Sequence, residues 1–223
     1  MKIDILTLFP EMFEGFINTS IIKRAIDNKL IEINVHNIRD YTKQDHNRVD
    51  DYPFGGGEGM VLMCQPVVDA IEAFKTDDSK VILMTPQGIP YNEQVTYSLK
   101  EEKQLILVCG HYEGFDERIR NFVDMEISIG DYILTGGELP AMVITDSVAR
   151  LIDGVIEKDS YTNESFNNNL LDYPVYTKPR VYRGLEVPEV LLSGHHENIN
   201  KWRKEESIKR TEMRRPDLLK KDD

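Results

Sequence analysis

The chain has 223 residues and a formal net charge of −12, and 40% of its residues are hydrophobic. This apolar content suffices for a packed core and excludes a fully disordered chain, while no apolar run approaches the roughly 18 residues of a bilayer span. The two cysteines, Cys64 and Cys109, are too few for a disulfide framework or a cysteine-based zinc site. We therefore expect a cytoplasmic protein without a membrane partner, in which both cysteines are small buried residues.

Segments with strand character alternate with segments of helical periodicity along the first 152 residues. Strands are predicted over residues 1–9, 30–38, 80–85, 104–109 and 125–129, and helices over 10–28, 65–74, 92–99, 116–122 and 138–152. The first strand contains acidic Asp4 and no cleavage site follows it, which is not the pattern of a signal peptide. Continuous apolar runs at Val81–Met84 and Leu105–Val108 indicate central strands that are buried on both faces. The alternation predicts an α/β domain with a largely parallel sheet.

The sequence changes character after residue 156. Residues 157–177 are polar, rich in asparagine and without periodicity, which indicates a linker or mobile loop. Residues 178–221 then carry 12 Lys and Arg against 7 Asp and Glu, a net charge of +5, whereas residues 1–177 carry −15. We predict a domain at 1–156, a linker at 157–177, and a small basic domain at 178–223 with a helix over 198–210. The basic domain favours a charged ligand at this end of the chain.

Three glycine-bearing turns follow predicted strands, at residues 85–88, 109–114 and 128–140. Ligands of open α/β sheets bind outside the carboxyl ends of the strands, and glycine lets the backbone approach a ligand closely. The three turns are therefore either ordinary connections or one pocket whose backbone groups suit a nucleoside. Gly55–Gly59 lacks the Lys-Ser/Thr of a phosphate-binding loop and is read as a loop over a substrate or as a tight connection. The pair His195-His196 favours a surface or capping role, and no metal site is predicted.

Ordered motifs along nearly the whole chain resemble one family, the bacterial tRNA (guanine-N1)-methyltransferases (TrmD) of the SPOUT class. Besides the three turns, these motifs are Leu8–Phe13, Asp51–Gly57, Asp146–Arg150, Ser165–Phe166, Leu170–Pro174, Tyr176–Pro179, Val187–His196 and Ile199–Arg203. The resemblance implies a SPOUT methyltransferase domain whose C-terminal part forms a deep trefoil knot, followed by a small, mainly helical tRNA-binding domain. It also implies an obligate homodimer that assembles each active site across its interface.

The resemblance further implies that S-adenosylmethionine, also written S-adenosyl-L-methionine, binds in the knot. The cofactor-binding residues would come from the three turns: Pro86, Gln87, Gly88, Gly110, Tyr112, Glu113, Gly114, Ser128, Ile129, Gly130, Tyr132, Leu134, Gly136 and Gly137. The implied partner is the anticodon arm of tRNA with guanosine at positions 36 and 37. The implied product is 1-methylguanosine at position 37, which supports maintenance of the reading frame. A requirement for Mg²⁺ is also implied, but no ligand set for it can be assigned.

The chemistry of guanine N1 suggests which residue types must act. N1 carries a proton, so a positioned carboxylate is needed to accept it, and a cation is needed to stabilise the negative charge that develops on O6. The family assigns the O6 contact to the position of Arg150. It assigns the general base to an Asp directly before Ser-Phe, where this chain has Glu164, and Asp172 is the alternative carboxylate. His111, where many relatives carry Arg, is expected at the rim of the cofactor pocket.

Three other functions remain open at the level of sequence. A SPOUT relative that acts on another RNA position would methylate tRNA without guanosine at position 37. An RNA-binding module that has lost catalysis would bind tRNA and cofactor without turnover. Small-molecule chemistry on an acidic α/β scaffold would leave the basic C-terminal part without a role.

Overall fold

The computed structural model describes residues 1–157 and 164–219, and the chain divides into two compact units, Met1–Ile156 and Glu157–Asp223. Residues 158–163 of the predicted linker and residues 220–223 of the predicted C-terminal domain lie outside the described residues. No helix in the described ranges is both long enough and apolar enough to cross a bilayer.

Unit 1 is built on a five-stranded parallel sheet, which confirms the predicted α/β class. The strands of unit 1 are β1 (Lys2–Thr7), β2 (Glu32–Asn37), β3 (Asp50–Asp51), β4 (Val61–Leu62), β5 (Ser79–Pro90), β6 (Gln104–Val108) and β7 (Met125–Ser128). The large sheet has the order β2-β1-β6-β5-β7, and every neighbouring pair is parallel. Strands β3 and β4 form a separate antiparallel pair.

Helices cover both faces of the sheet because alternate residues of the central strands point to opposite sides. The helices of unit 1 are α1 (Glu14–Ile17), α2 (Ser20–Asp27), α3 (Cys64–Phe74), α4 (Glu93–Lys100) and α5 (Glu138–Ala149). On one face, Leu83 and Ile106 pack in a cluster with residues of α3. On the other face, Ile82 and Leu107 pack with residues of α4 and α5. The predicted burial of both faces of β5 and β6 is confirmed.

The single helix predicted over 10–28 is wrong. The segment forms a 3-10 helix at Pro10–Phe13, then α1 and α2, with Thr19 extended between the last two. The Asn18 side chain donates to the Glu14 carbonyl at 2.8 Å, and the Thr19 hydroxyl donates to the Gly15 carbonyl at 2.7 Å. The Glu14 carbonyl also accepts from the Asn18 NH at 3.3 Å, so the two side chains add hydrogen bonds to the last turn of α1, and the helix ends where Thr19 becomes extended.

The end predicted for β5 at Thr85 is also wrong. The strand continues to Pro90, with a register shift against β7 between Met84 and Ile89, both of which lie opposite Ile127. The chain leaves the ladder after Met84 and returns to it at Ile89. Between these residues Gly88 lies so close to β7 that a Cβ there would be only 2.3 Å from the Ile127 backbone nitrogen. Only glycine permits this approach, so the irregular turn is a bulge within β5, which lies between β6 and β7, and it is not the end of the strand.

A buried carboxylate, Asp4, joins three strands at the centre of the sheet. Its side chain is fully buried and accepts hydrogen bonds from His36 on β2 at 2.9 Å and from Gln104 on β6 at 2.7 Å, and it pairs with Lys2 at 3.0 Å. Burial raises the pKa of Asp4, but the hydrogen bonds from these three partners outweigh it, so the net pKa is lowered.

Unit 2 is organised around α6 (His196–Arg214), which extends beyond the predicted helix over 198–210 at both ends. A short antiparallel hairpin, β8 (Val181–Tyr182) and β9 (Leu185–Glu186), precedes it. Leu171 is tied to α6 by two bonds: its NH donates to the Thr211 hydroxyl at 2.9 Å, and its carbonyl accepts from the Ser207 hydroxyl. The chain around Leu171 is thereby held against the buried face of α6.

Candidate functional site

A cavity of about 410 Å³ lies in unit 1 at the carboxyl ends of β5, β6 and β7. The three glycine-bearing turns that the sequence singles out meet here, as expected for ligand sites of open α/β sheets. The Gly137 NH donates to the Gly110 carbonyl at 2.9 Å, which joins the turn after β7 to the turn after β6. The cavity volume is in the range of small-ligand sites.

Glycine at position 137 is required by the close approach of two chain segments. A Cβ there would lie 2.7 Å from both the Cys109 Cα and the Gly110 nitrogen, and both atoms belong to the backbone. Because the backbone at the end of β6 is buried, it has little room to yield. Glycine at position 137 therefore allows the turn after β7 to approach the turn after β6 closely enough to form this wall of the cavity.

Twelve of the fourteen predicted cofactor residues line this cavity. They are Pro86, Gly110, Tyr112, Glu113, Gly114, Ser128, Ile129, Gly130, Tyr132, Leu134, Gly136 and Gly137. Gln87 and Gly88 are not among the lining residues. The Gln87 side chain instead accepts a hydrogen bond from Arg120 at 2.6 Å, and Gly88 packs on the backbone of β7.

The cavity also contains residues that the sequence analysis did not place in the cofactor set. They are Met84, Thr85, His111, Phe115, Ile127, Ile133, Thr135 and Pro140. Five of them lie inside the three predicted turns: Thr85, His111, Ile133, Thr135 and Pro140. The other three, Met84, Phe115 and Ile127, directly adjoin a turn, so extending each turn by one residue would have found them.

The cavity wall combines apolar side chains, backbone polar groups and one exposed carboxylate. Ile129 and Leu134 supply apolar surface, while the glycines bring the backbone itself to the cavity wall. Glu113 adds negative charge, and its NH donates to the Met60 carbonyl at 3.0 Å, which places the end of the glycine-rich loop beside the cavity. Apolar surface, backbone donors and acceptors, and a carboxylate suit a nucleoside joined to a cationic group.

A buried hydrogen-bond network supports the wall at His111. Glu138, the first residue of α5, is 1% exposed; it accepts a hydrogen bond from the Thr7 hydroxyl at 2.6 Å and contacts His111 Nε2 at 2.9 Å. The Phe9 ring packs against the imidazole, with ring centroids 4.7 Å apart. The network fixes the His111 ring between the end of β1 and the start of α5.

Arg150 follows α5 directly, and its NH donates to the Asp146 carbonyl at 3.1 Å. The residue is half-buried and does not line the cavity of unit 1. Its place at the end of α5, whose inner face packs in the core, gives the side chain a rigid base from which to reach a ligand.

A second cavity, of about 300 Å³, lies within unit 2 and brings together Glu164 and Asp172, the two predicted carboxylates. The remaining lining residues are Asn168, Leu170, Leu171, Tyr173, Asn200, Arg203, Lys204 and Ser207. The Asp172 NH donates to the Ser165 hydroxyl at 3.0 Å, and an Asp172 carboxylate oxygen accepts from the Tyr173 NH at 2.8 Å. These bonds fix the turn that carries Asp172.

No group of three or more metal-ligating side chains occurs within residues 1–157 and 164–219. Cys109 is fully buried, as expected, and burial and the nearby charge of Glu138 raise its thiol pKa well above the usual value. Cys64 is half-buried rather than buried, and its thiol pKa is raised chiefly by desolvation. Neither thiol has the lowered pKa of a reactive cysteine.

Comparison with known proteins identifies the chain's relatives. The family model described as "tRNA (Guanine-1)-methyltransferase TrmD" matches residues 1–221. A tRNA (guanine-N(1)-)-methyltransferase of Malacoplasma penetrans is 60% identical over 219 residues, which cover 98% of this chain and 97% of that protein. A protein with the same name from Spiroplasma kunkelii is 60% identical, covering 99% of this chain and 83% of the relative. One from Clostridium botulinum strain Hall is 56% identical, covering 99% and 92%.

Proposed function

The chain belongs to the TrmD family of bacterial tRNA (guanine-N1)-methyltransferases, and we propose that it transfers a methyl group from S-adenosylmethionine to N1 of guanosine 37 in tRNA. The observation that carries the donor assignment is the cavity at the ends of β5, β6 and β7. Twelve of the residues that the family resemblance assigns to the cofactor line this one cavity.

The residues of the cavity fit S-adenosylmethionine. When bound, this cofactor supplies a methyl group activated by a sulfonium. Gly110, Gly136 and Gly137 bring the backbone to the cavity wall, where it can approach the polar edge of the adenine, while Ile129 and Leu134 supply apolar contacts. The carboxylate of Glu113 suits the positive charges of the donor. The protein thus contributes binding and orientation of the methyl donor.

The acceptor requires proton removal, because the N1 lone pair of guanine is unavailable while N1–H is intact. A carboxylate of Glu164 or Asp172 accepts this proton as the methyl group is transferred. The Arg150 guanidinium donates to O6, where negative charge develops. Guanosine 37 lies in the anticodon loop, where it is unpaired, so exposing its Watson–Crick edge costs little.

We assign the general base to Glu164, because it stands directly before Ser165-Phe166, where the family has Asp. Glu164 and Asp172 line the same cavity of unit 2, so both are candidates on geometry. The test is single-turnover methyl transfer with Glu164→Gln and Asp172→Asn. We expect the rate to fall by about 10²–10⁴-fold in Glu164→Gln. The smaller loss is expected in Asp172→Asn.

Glu197→Gln provides the matched control, since Glu197 is an exposed carboxylate of α6 outside the cavity. A near-normal single-turnover rate in Glu164→Gln, together with a large loss in Asp172→Asn, would transfer the assignment to Asp172. Large losses in both variants with an unchanged control would indicate that the two carboxylates act together.

The substrate assignment is tested with two tRNA transcripts and labelled S-adenosylmethionine. One transcript has guanosine at positions 36 and 37, and the other has adenosine at 37. We expect label only in the first. Label in both would point to a different methylation site, and label in neither with tRNA still bound would point to an RNA-binding protein without turnover.

We also propose the remaining family features: the trefoil knot, the homodimer, the tRNA-binding role of unit 2, and Mg²⁺ as a further requirement. The Gly137–Gly110 bond supports the knot, because the chain leaving edge strand β7 returns past β5 to the end of β6. The exposed side chains of Leu139 and Val143, one turn apart on α5, support a homodimer face. The net charge of +5 over residues 178–221 supports contact of unit 2 with RNA phosphates.

A further inference from the structure

Arg203 lines the cavity of unit 2, and its Nε has no hydrogen-bond partner among the described residues. Its guanidinium carbon lies 4.8 Å from the centre of the Tyr173 ring, and its Nε is buried. Within residues 1–157 and 164–219, no acceptor lies within hydrogen-bonding distance of this Nε. A buried donor without an acceptor is costly, and in native structures it indicates that water, an ion or a ligand completes the site.

Arg203 as a whole is only half-buried and lines the cavity, so a ligand in the cavity can contact its side chain. Stacking on Tyr173 occupies one face of the planar guanidinium, while the N–H donors lie at its edge and suit an in-plane acceptor with two oxygens. Asn200, Lys204 and Ser207 are three or four residues away from Arg203 or adjacent to it on α6, and all line the same cavity. The helix therefore presents a polar and cationic wall to the cavity.

The cavity carries both signs of charge. Glu164 and Asp172 belong to the segment before the hairpin, and Arg203 and Lys204 belong to α6. A free anion would meet two carboxylates there as well as two cations. A guanosine nucleotide suits both walls, because N1–H and the N2 amino group donate to carboxylates while the phosphate accepts from arginine.

We propose that Arg203 binds a phosphodiester of tRNA that flanks the guanosine to be methylated, so that the base meets the carboxylates of the same cavity. The proposal rests on the proposed function and adds a residue that positions the target nucleotide. Both phosphodiesters that flank guanosine 37 are candidates for this contact. Each offers Arg203 two non-bridging oxygens that share one negative charge.

The test combines protein variants with RNA in which one phosphate is neutral. Three versions of an anticodon-arm RNA are compared: unmodified, and with a methylphosphonate at the phosphodiester on the 5′ or the 3′ side of guanosine 37. Wild type, Arg203→Gln and Arg203→Lys are assayed for kcat/KM and for RNA binding by fluorescence anisotropy. Arg214→Gln is the matched control, since Arg214 is an exposed cation on the same helix outside the cavity.

We expect one of the two methylphosphonates to lower wild-type kcat/KM by about 10- to 100-fold, as for a charged hydrogen bond. Arg203→Gln lowers kcat/KM to a similar extent on unmodified RNA, and the same methylphosphonate then has little additional effect. Arg203→Lys recovers part of the loss. Arg214→Gln responds to the methylphosphonate like wild type.

Equal responses of wild type and Arg203→Gln to both methylphosphonates would overturn the proposal. Salt dependence provides a second readout, because losing one phosphate contact lowers the slope of log Kd against log salt by about 0.7–0.9. An unchanged slope in both Arg203 variants would likewise contradict the contact. Thermal unfolding and S-adenosylmethionine binding exclude misfolding as the cause of a loss.

The anisotropy arm separates this proposal from the proposed function. If wild type binds the RNA but methylates none, the function fails while the coupling between Arg203 and the methylphosphonate remains measurable. If wild type methylates guanosine 37 without that coupling, the function stands and only the role of Arg203 is wrong. Inorganic phosphate that competes with the methylphosphonate RNA as strongly as with unmodified RNA would indicate a free-anion site and overturn the phosphodiester assignment.

Discussion

Replacing Gly137 by alanine tests whether the close approach of the turns after β6 and β7 shapes the cofactor cavity. The new Cβ would lie 2.7 Å from two buried backbone atoms of Cys109 and Gly110, about 0.7 Å short of ordinary contact at 3.4 Å. Overpacking of this kind costs about 1–3 kcal/mol, which corresponds to a fall in Tm of roughly 2–12 °C for a chain of this size. Relief requires a shift of Gly110 or Gly137, and both line the cavity.

We therefore expect Gly137→Ala to weaken S-adenosylmethionine binding by about tenfold or more, as measured by calorimetry in the absence of tRNA. Gly15→Ala is the matched control, because a Cβ at Gly15 in α1 meets no atom within 4 Å. That substitution should leave cofactor binding unchanged and stabilise the protein by up to about 1 kcal/mol. Wild-type cofactor affinity and Tm in Gly137→Ala would refute the reasoning that this approach limits the shape of the cavity.

Two further predictions concern buried or bridging charges. Asp4→Asn should lower the free energy of unfolding by about 1–3 kcal/mol at neutral pH. Because the folded-state pKa of Asp4 is lowered, its contribution is present above its ordinary pKa and is lost as the pH falls through the folded value. Urea unfolding from pH 7 to pH 3 should show the difference from wild type shrinking, and a constant difference would contradict it. Arg120→Ala should weaken S-adenosylmethionine binding without changing tRNA affinity, since Arg120 holds Gln87 beside cavity residue Pro86. If Gln87→Ala added its full effect to Arg120→Ala in calorimetric titrations, the two side chains would not act as a pair.

The structure also describes the glycine-rich segment Gly55–Gly59 and the residues around it. Tyr52 and Phe54, before the glycine-rich loop, are 76% and 102% exposed, while the loop's end at Met60 is hydrogen-bonded to Glu113 in the cavity turn. The sequence left this segment open between a loop over a substrate and a tight connection. The structure anchors one end of it beside the cavity.

Local sequence pattern was enough to predict the parallel sheet and each of its five strands, although not the end of β5. Strand and helix periodicities depend on which face of a segment is buried, and this information lies within a few residues. The glycines after β5, β6 and β7 likewise mark, without any coordinates, where a backbone can approach a ligand. The family motifs extended this to the donor, the acceptor and the candidate catalytic residues.

Only the tertiary structure decided which neighbours each residue has. Whether Gln87 faces the cavity depends on Arg120, 33 residues further on, which binds its side chain. The meeting of Glu164, Asp172 and Arg203 in one cavity arises because Leu171 is tied to α6 about 40 residues away. Such contacts join segments that are distant in the chain, so the hydrophobic periodicity of a single segment cannot predict them.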